Sequence, residues 1–434
     1  MFKFIIQRRL RHYVKRYFKL HQDVRLVVVT GSVGKTSTKV AIGTVLAQRL
    51  RVRLHDGNHN SELSAPLAML GVTFPENIKS LGAWRAVFKA ARQRIKQPAD
   101  VDVVVQELGT DAPGQIAAFG RYLKPDIAVV TAVSPEHMEF FGTLDVVAQE
   151  ELAAANFSKQ ALINRDDIDG DYAKYLQNAN VNTYGSTSVA EYRFETNDVT
   201  AIDGFTGVFI APEWDEAVQA TLHLAGEHSI RAAVAAAAVG VKFGLEPNEI
   251  ARGLEAIRAV PGRMNVLRGT SETTIIDDSY NSSPLAAKSA LRALYQFNAP
   301  QRIAVFGSMN ELGADSAREH EELGSLCDPS ELAHVVTVGE DAEKYLAPAA
   351  RANGCHVVSF RSPIDAGGYV NKVLEPGAVI LFKGSQGGIF LEEAVKIVIH
   401  SADDEDQLVR QSPEWMAKKQ AFFESLTPDT KDGE

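Results

Sequence analysis

The chain has 434 residues, of which 45% are hydrophobic and 23% are charged, and its formal net charge is −10. This length fits two or three packed domains, and this composition excludes a disordered or fibrous chain. The negative charge gives no indication of nucleic-acid binding, and two cysteines, too few for a disulfide framework or a four-thiolate zinc site, fit a reducing cytosol.

Residues 1–22 predict a basic amphipathic helix. The first 20 positions contain seven lysines and arginines and no acidic residue, and their apolar residues recur at helical spacing. Such a helix could lie on an anionic membrane at its inner, cytoplasmic face, or its apolar stripe could pack on the following domain. We favour packing on the domain. No apolar run has the length of a transmembrane helix.

From residue 24 onward, short β-branched runs alternate with helical stretches, which predicts parallel sheets covered by helices. Residues 183–224 have shorter alternating segments, which we interpret as a small antiparallel insertion. The predicted strands are 25–30, 102–106, 127–133, 161–164, 273–277, 302–306, 334–338, 356–360 and 378–382.

These elements predict four segments along the chain. The N-terminal helix at 1–22 is followed by an ATP-binding α/β domain of the P-loop NTPase type at 23–260. A Pro-Gly-Arg break opens a Rossmann-like α/β domain at 261–400. An acidic tail at 401–434 is expected to be frayed.

The most informative motif is a phosphate-binding loop between the first predicted strand and a helical stretch at 38–49. A glycine-rich turn in that position aims backbone N–H groups and the helix dipole at an anion. Lys35 would contact the β- and γ-phosphates of ATP, and the Thr36 hydroxyl would bind Mg²⁺. The motif is the short variant, because Val29 stands where the general pattern has its first glycine. The loop residues are Gly31, Ser32, Val33, Gly34, Lys35, Thr36 and Ser37.

Two other predicted strands end in residues that could bind the metal. Glu107 follows the strand at 102–106, and His137 follows the strand at 127–133. Open α/β sheets place their sites at the carboxyl ends of strands. A carboxylate and an imidazole beside the loop threonine are reasonable ligands for Mg²⁺ ions on a triphosphate. The guanine-reading N-K-x-D sequence is absent, which counts against a GTPase switch.

The motifs extend into longer segments that resemble, in order, the signatures of the Mur ligases over roughly residues 24–395. The DDSYN-x-x-P and M-x-ELG elements resemble the MurF branch, which adds D-alanyl-D-alanine to a UDP-linked muramoyl tripeptide. The resemblance implies an ATP- and Mg²⁺-dependent ligase that forms an acyl-phosphate on a carboxylate and couples it to an amine in peptidoglycan synthesis. The matching segments are TGSVGKTST, GNHNSELSAP, ELGTDAPGQI, PDIAVVTAVSPEHMEFFGTLDVVA, NRDD and GEHS, then PGRMNVL, IIDDSYNSSP, VFGSMNELG and LFKGSQG.

The resemblance also implies roles for further residues. Arg263, Asp278 and Asn281 would contact the nucleotide, and Asn60 and Ser61 would face the peptide substrate. Lys383 and Ser385 would belong to the site for the incoming amine, and domain closure would bring this site toward the phosphate loop. The alternative for Arg263 and Lys383 is a surface ion pair. The residues with an implied catalytic role are Lys35, Glu107, His137, Glu151 and Lys383.

The first departure from the family concerns a lysine that Mur ligases carbamylate to hold a second Mg²⁺. Counted without gaps from His137, this position falls on Glu151, after Gln149 and Glu150. A glutamate already ends in a carboxylate, so we hypothesise that Glu151 replaces the carbamate as a metal ligand. The alternative is a solvated helix glutamate in an enzyme that has lost its second metal.

Two other departures concern the substrates. Ala232 replaces the asparagine with which the family contacts adenine, and Gln386 replaces an arginine often found after K-G-S. The phosphate loop also directly follows residues 1–22, where most Mur ligases have a UDP-binding domain. The carboxylate substrate is therefore either UDP-linked and recognised by the remaining domains, or not UDP-linked.

Several kinds of protein remain open on the sequence alone. Within enzymes, the alternative is a ligase of the folylpolyglutamate or poly-γ-glutamate type. A second class is a carboxylate-activating subunit of an amidotransferase, and a third is a nucleotide-binding scaffold without catalysis. We expect a cytoplasmic monomer that binds small-molecule or peptide-precursor substrates and no nucleic acid.

Overall fold

The computed structural model of the chain describes residues 2–55, 57, 59–200 and 204–426. It divides the chain into two compact units. The first contains the residues up to Leu224 together with His228–Arg258, and the second contains Ala225–Glu227 and the residues from Ala259 onward. Within the described ranges, no helix is long and apolar enough to cross a membrane.

Helices and strands alternate along the first unit, as the sequence predicts for a parallel α/β fold. Its helices are α1 (Phe2–Leu20), α2 (Lys35–Leu46), α3 (Ala65–Leu70), α4 (Leu81–Lys96), α5 (Gln115–Gly120), α6 (Met138–Phe141), α7 (Leu144–Phe157), α8 (Glu227–Lys242) and α9 (Pro247–Ala256). Its strands are β1 (Arg25–Thr30), β2 (Val52–Leu54), β3 (Val103–Glu107), β4 (Ile127–Val130), β5 (Gln160–Asn164), β6 (Val181–Gly185), β7 (Tyr192–Thr200), β8 (Gly204–Ile210) and β9 (Val218–Leu222).

The strands of the first unit form one mixed sheet. In the described part of the chain it has nine strands in the order β2-β3-β1-β4-β5-β6-β7-β8-β9. Neighbours from β2 to β7 run parallel, and β7, β8 and β9 run antiparallel. The predicted fold class is confirmed, and the segment predicted as an antiparallel insertion continues the same sheet.

Strand β1 is an interior strand of this sheet and is apolar on both faces. Successive side chains of a strand point to opposite faces. Val27 and Val29 accordingly join a core with residues of α2, α8 and α9, and Leu26 and Val28 join a second core with residues of α1, α3 and α4. Helices therefore cover both faces of β1, and its carboxyl end delivers the phosphate loop.

Helix α1 packs its apolar stripe on the first unit. Its buried residues, Ile6, Leu10, Val14 and Tyr17, recur at intervals of three and four, which places them on one side of the helix. They belong to the core that also contains residues of α3 and α4. Packing on the domain, the interpretation favoured from the sequence, is therefore observed.

The second unit is built around a smaller sheet. Among its described residues the strand order is β10-β11-β15-β12-β13-β14, with β10 antiparallel to β11 and the other neighbours parallel. Its strands are β10 (Asn265–Arg268), β11 (Thr274–Asp278), β12 (Arg302–Gly307), β13 (His334–Val338), β14 (Val357–Phe360) and β15 (Val379–Lys383). Its helices are α10 (Pro284–Gln296), α11 (Ser316–Ser325), α12 (Ala347–Ala352), α13 (Pro363–Val373), α14 (Glu392–Val398) and α15 (Pro413–Leu426).

The prediction of a frayed tail is wrong for residues 402–426. A 3₁₀ turn at Ala402–Gln407 leads to α15, and Arg410 and Lys419 are both buried. Both side chains form ion pairs with Glu392 of α14, at 2.6 Å and 2.9 Å. A polar, charged stretch is typical of a solvated tail, and its sequence does not reveal a buried acidic partner on another helix. Residues 427–434 lie outside the described residues.

Candidate functional site

The phosphate loop connects β1 to α2 through two glycines with positive φ, 126° at Gly31 and 84° at Gly34. A Cβ atom on Gly31 would lie 2.2 Å from the Thr131 hydroxyl oxygen and 2.8 Å from the backbone N of Ala132. Only glycine fits this combination of dihedral angle and close approach. Helix α2 begins at Lys35, three residues before the predicted helical stretch, so its first N–H groups belong to the motif itself.

The segment after β4 holds the loop in shape. The Thr131 hydroxyl donates hydrogen bonds to the carbonyl oxygens of Val33 at 2.5 Å and Thr30 at 3.1 Å. The backbone N–H of Ser134 donates to the Ser32 hydroxyl at 2.8 Å. These contacts fix the backbone of the loop before any ligand binds, which is the preorganisation that an anion site requires.

The hydroxyl of Thr36 and the carboxylate of Glu107 lie together beside the loop. The Thr36 hydroxyl donates to Glu107 Oε2 at 2.8 Å, and the Asn60 amide donates to Glu107 Oε1 at 3.1 Å. Asn60 is held in turn by the N–H of Gly109, which donates to its carbonyl oxygen at 3.0 Å. A buried hydroxyl and a buried carboxylate are hard oxygen ligands, and this pair fits Mg²⁺.

Lys35 curls back over the loop that precedes it. Its ammonium group contacts the carbonyl oxygen of Gly31 and lies 3.4 Å from that of Ser32. It also lies 3.6 Å from Glu136 Oε2. The lysine that the motif assigns to the phosphates is therefore at the loop, close to a carboxylate to which the sequence analysis gave no role.

His137 occupies a strained backbone position at the start of α6, with φ 46°. Its Nε2 lies 3.7 Å from Asp111 Oδ1. Over the described ranges, no group of three or more His, Cys, Asp or Glu side chains is arranged to hold a metal ion. The described contacts thus bring Thr36, Glu107 and Asn60 together, and they place His137 beside Asp111.

Glu151 is buried beneath the phosphate loop, and the alternative of a solvated helix glutamate is wrong. Its Oε2 accepts hydrogen bonds from the N–H of Gly31 at 2.7 Å and from the Thr30 hydroxyl. Glu151 Oε1 and Glu136 Oε1 are buried, with no hydrogen-bond donor among the described residues. Burial raises the pKa of Glu136 well above its ordinary value; Lys35 opposes that rise and Glu151 adds to it.

Glu150, the neighbour of Glu151, has a different function. Its carboxylate accepts hydrogen bonds from the N–H groups of Gly114 and Ile116, both at 2.6 Å, and from the Thr110 hydroxyl at 3.1 Å. It therefore satisfies N–H groups at the start of α5. Two adjacent glutamates on α7 thus hold two different loops, which the sequence alone does not distinguish.

Ser61 lies next to Asn60 at the approach to α3. Its hydroxyl lies 2.9 Å from that of Ser64, and the backbone N–H of Ser61 donates to the same Ser64 hydroxyl at 3.2 Å. The segment is tied to β3 by Gln106, whose side-chain amide donates to the carbonyl oxygen of His59 at 2.8 Å. The two residues predicted to face the peptide substrate are therefore anchored near Glu107.

In the second unit, Asp278 and Lys383 face each other at the carboxyl ends of β11 and β15. The two residues pair directly in the sheet, and Lys383 Nζ lies 3.0 Å from Asp278 Oδ2. Lys383 is 1% exposed and also contacts the carbonyl oxygen of Asn281. A surface ion pair is therefore the wrong interpretation for Lys383. Burial raises the pKa of Asp278, and the charges of Lys383 and Arg263 oppose that rise.

The other predicted residues of the second unit surround this pair. The Ser385 hydroxyl accepts from the N–H of Asn310 at 2.9 Å, and the Asn281 side-chain oxygen accepts from the N–H of Gln386 at 3.4 Å. The Arg263 guanidinium lies 4.2 Å from the centre of the Tyr280 ring. The structure thus gathers Asp278, Asn281, Lys383 and Ser385 at one edge of the second sheet.

Two family matches account for most of the chain. Residues 29–240 match the Mur ligase middle domain, and residues 262–386 match the Mur ligase glutamate ligase domain. The chain belongs to the Mur ligase family. It is an ATP-dependent amide ligase of that family.

Several relatives are UDP-N-acetylmuramoyl-tripeptide–D-alanyl-D-alanine ligases. The Bacillus subtilis enzyme is 29% identical over 410 residues, which is 90% of this chain and 79% of that enzyme. The Escherichia coli enzyme is 29% identical over 329 residues, 73% of this chain, and the match spans only 65% of that enzyme's length.

Solved structures show the same fold. The MurF ligase from Thermotoga maritima in complex with ADP superposes with a TM-score of 0.73 at 22% identity, over 90% of this chain and 83% of that one. Folylpolyglutamate synthase from Mycobacterium tuberculosis superposes with a TM-score of 0.62 at 18% identity, over 89% and 94%.

Sequence reasoning identified the phosphate loop and the strand ends but missed the residues that hold them. Glu136 precedes His137 in the same S-P-E-H run and could have been considered with it. Thr131 lies in a strand-like run and carries no motif. Arg410 lies in the segment interpreted as a tail, where only the three-dimensional partner, Glu392, reveals its function.

Proposed function

We propose that this Mur ligase adds D-alanyl-D-alanine to a UDP-linked muramoyl tripeptide in peptidoglycan precursor synthesis. The main support for ATP-dependent ligation is the 2.8 Å contact between Thr36 and Glu107 beside a preorganised phosphate loop. The choice of substrates is supported by relatives that have this activity, such as the B. subtilis enzyme, which is 29% identical over 90% of the chain. Because ATP is a substrate, we place the reaction in the cytoplasm.

The reaction couples two transfers. The γ-phosphoryl group leaves ADP and bonds to a carboxylate oxygen of the tripeptide, which gives an acyl-phosphate. The amine nitrogen then bonds to the acyl carbon, phosphate leaves with that oxygen, and the amine loses a proton. Lys35 and the N–H groups at the start of α2 would stabilise the charge that develops on the transferred group.

Thr36 and Glu107 would hold one Mg²⁺, and the carboxylates of Glu136 and Glu151 would hold a second. When bound, the metal would neutralise charge on the triphosphate. The fit of the second set rests on the buried oxygens Glu136 Oε1 and Glu151 Oε1, which accept no hydrogen bond from the described residues. In this proposal Glu151 supplies directly the carboxylate that related enzymes create by carbamylating a lysine, so activity does not depend on carbon dioxide.

The second unit would bind the incoming amine and part of the nucleotide. Lys383 and Ser385 are assigned to the amine, and Arg263, Asp278 and Asn281 to the nucleotide. The support is their grouping at the carboxyl edge of the second sheet, where Lys383 is held by Asp278 at 3.0 Å. Open α/β sheets use this edge for ligands.

The test is ADP release by the full chain with ATP, Mg²⁺, UDP-muramoyl tripeptide and D-alanyl-D-alanine. We expect release that requires both substrates, and a product whose mass equals their sum less one water. Release with a carboxylate that lacks UDP, and none with the UDP-linked tripeptide, would overturn the proposed substrate. Release that requires neither substrate would overturn the ligase assignment of this site.

A pair of variants assigns the reaction to the loop. Thr36→Val removes the hydroxyl that contacts Glu107, and we expect turnover to fall on the order of 10²–10³-fold, as for loss of a preorganised polar contact. Thr44→Val makes the same change later in α2, where the hydroxyl donates to the Val40 carbonyl oxygen of the same helix. Turnover of the Thr44 variant should match that of the parent chain.

A further inference from the structure

Helices α1 and α4 carry a concentration of positive charge that contrasts with the net charge of −10. Neither helix contains an aspartate or a glutamate. We call their shared solvent-facing surface the α1–α4 face. Its exposed cations are Arg8, Arg9, Lys15, Arg16, Lys19, Arg85, Lys89, Arg92 and Lys96.

The two helices lie side by side and run in the same direction. The rings of Tyr13 and Phe88 are 6.0 Å apart, and the Arg9 guanidinium lies 5.3 Å from the centre of the Phe88 ring. Further along both helices, His21, just past the end of α1, lies 3.2 Å from the carbonyl oxygen of Ile95. Because higher numbers in α1 meet higher numbers in α4, the amino-terminal turns of both helices lie at the same end.

The cations of α4 belong to the flank that meets α1. Leu81, Arg85, Phe88, Arg92 and Lys96 are spaced by three or four residues, so they lie along one side of the helix. Phe88 is the member of this stripe that contacts α1. The arginines before and after it therefore border α1, and the exposed charges of the two helices form one surface.

The cations of α1 face away from the protein core. The buried stripe of this helix ends in Val14 and Tyr17, and Arg8, Lys15 and Lys19 lie on the opposite side by helical spacing. All three are exposed. Arg11, on a flank of the helix, is occupied by an ion pair with Glu62 at 2.6 Å and is not part of the face.

Large apolar side chains are exposed at the amino-terminal end of this face. Phe4 is 63% exposed, Ile5 48% and Phe2 39%, and Leu81 at the start of α4 is 61% exposed. Ile78, three residues before Leu81, is 50% exposed. An exposed apolar cluster bordered by cations matches a bilayer interface, where apolar groups enter the boundary region and cations meet anionic headgroups.

We propose that the α1–α4 face docks this ligase on a membrane that contains anionic phospholipids, with Phe2, Phe4 and Ile5 entering the interface. Nine exposed cations without an acidic residue complement an anionic headgroup layer. A nucleic acid would complement the positive charges, but it would give the exposed apolar residues no function. An apolar groove on another protein would bind those apolar residues, but it would give the cations no function. This inference does not depend on which substrates the ligase joins.

The test is sedimentation of the full chain with vesicles of phosphatidylglycerol mixed with phosphatidylcholine, and with vesicles of phosphatidylcholine alone. We expect binding to the first kind only. The variant Arg8→Gln, Arg16→Gln, Arg85→Gln, Lys89→Gln should bind roughly 600-fold more weakly, since each of the four cations near an anionic surface contributes about a fivefold factor.

A matched control variant has the same number of Lys or Arg residues changed to Gln, at exposed positions outside the α1–α4 face. Its binding should equal that of the parent chain, which separates the face from the change in net charge. The four exposed positions are Arg252, Arg292, Arg361 and Lys372. The circular dichroism of both variants shows whether they fold.

Insertion of the apolar end has its own measurement. Phe4→Trp places a fluorophore at that end, and we expect its emission to shift to shorter wavelength with phosphatidylglycerol vesicles and not with phosphatidylcholine vesicles. The double variant Phe4→Ser, Ile5→Ser should bind at least tenfold more weakly, as burial of two large apolar groups predicts.

Three results would overturn the proposal: no binding to phosphatidylglycerol vesicles, equal losses in the four-cation variant and its control, or an unchanged Trp emission on binding. Tight binding to a single-stranded RNA without binding to vesicles would assign the face to nucleic acid and overturn it as well.

Discussion

The carboxylate of Glu151 supports the phosphate loop with one oxygen, and its charge adds to the rise in the pKa of Glu136. Glu151 Oε2 accepts from the Gly31 N–H at 2.7 Å, and the remaining oxygen of each glutamate is buried without a donor among the described residues. Two buried carboxylates in contact are unfavourable unless a proton or a cation lies between them. To support the loop, Glu151 needs only a hydrogen-bond acceptor. To bind a metal ion, which is its second proposed function, it needs a negative charge.

Glutamine at position 151 separates these functions. Glu151→Gln keeps an acceptor for Gly31 and offers an N–H to Glu136, so we expect a melting temperature equal to or above that of the parent. ADP release should fall on the order of 10²–10³-fold, because the charge is lost. Glu151→Ala should lose stability as well as turnover, and added acetate or formate should restore part of its turnover. A fully active glutamine variant would contradict the metal-ligand role.

Asp277 gives a prediction on the pH dependence of stability. It is fully buried, and burial raises its pKa from 3.8 to about 6, with Asp278 and Glu392 adding to the rise. The folded state therefore holds the proton more tightly than the unfolded state. The destabilisation is fully present above about pH 6 and is relieved as the pH falls toward 3.8.

Asp277→Asn should therefore stabilise the second unit at pH 8 and have little effect near pH 4. Removal of the charge is worth roughly 3 kcal/mol at most, and the new amide, in place of an oxygen that has no described partner, offsets about 1 kcal/mol. Urea unfolding of parent and variant at both pH values measures the difference. A gain that is larger at pH 4 than at pH 8 would contradict the assignment.

At the scale of elements, Arg410 ties the chain after α14 to the loop after β11. Its guanidinium donates to both oxygens of Glu392, at 2.7 Å and 2.6 Å, and to the carbonyl oxygens of Ser279 at 2.8 Å and Tyr280 at 2.9 Å. The same loop contains Asn281. A segment remote in sequence therefore positions one edge of the second-unit site.

Arg410→Ala should destabilise the second unit by about 3 kcal/mol, because among the described residues it leaves the buried Glu392 carboxylate with Lys419 as its one remaining cationic partner. The control is Arg318→Ala, whose ion pairs with Asp315 and Glu319 involve a side chain that is 61% exposed. Exposed pairs contribute less than about 1 kcal/mol. If urea unfolding shows equal losses of unfolding free energy in the two variants, the buried ion pair contributes no more to stability than the exposed one.

The sequence predicts the regular elements well where periodicity is strong. The strands 25–30 and 334–338 have the predicted bounds, and the parallel α/β class is correct because buried β-branched runs alternate with helices. The pairing of residues 192–222 with the main sheet was missed, since alternation reveals a strand and not its neighbour. The order of residues 402–426 was missed because it depends on buried ion pairs.

The candidate site also has features that the sequence predicts and features that it does not. The phosphate loop and the contact of Thr36 with Glu107 follow from motifs at strand ends, which a parallel sheet brings to one edge. The burial of Glu151 beneath Gly31, and its contact with Glu136, depend on how α7 packs under the loop. No local pattern in the sequence encodes that packing.

At the scale of the whole molecule, ligation and membrane docking depend on different residues and can be lost separately. Thr36→Val should abolish most ADP release and leave vesicle binding unchanged. The four-cation variant of the α1–α4 face should lose vesicle binding and retain ADP release from substrates in solution, because none of its positions contacts the phosphate loop or its supporting residues. Sedimentation and ADP release on the same preparations measure both, and loss of both properties in either variant would contradict this separation.

The central claim is that this chain activates a carboxylate as an acyl-phosphate, and an oxygen label tests it directly. The tripeptide substrate is prepared with heavy oxygen in its reacting carboxylate and incubated with ATP, Mg²⁺ and D-alanyl-D-alanine. The account predicts one labelled oxygen in each phosphate released, because the bond between the acyl carbon and that oxygen breaks when the amide forms. Phosphate without the label, alongside amide product, would contradict it.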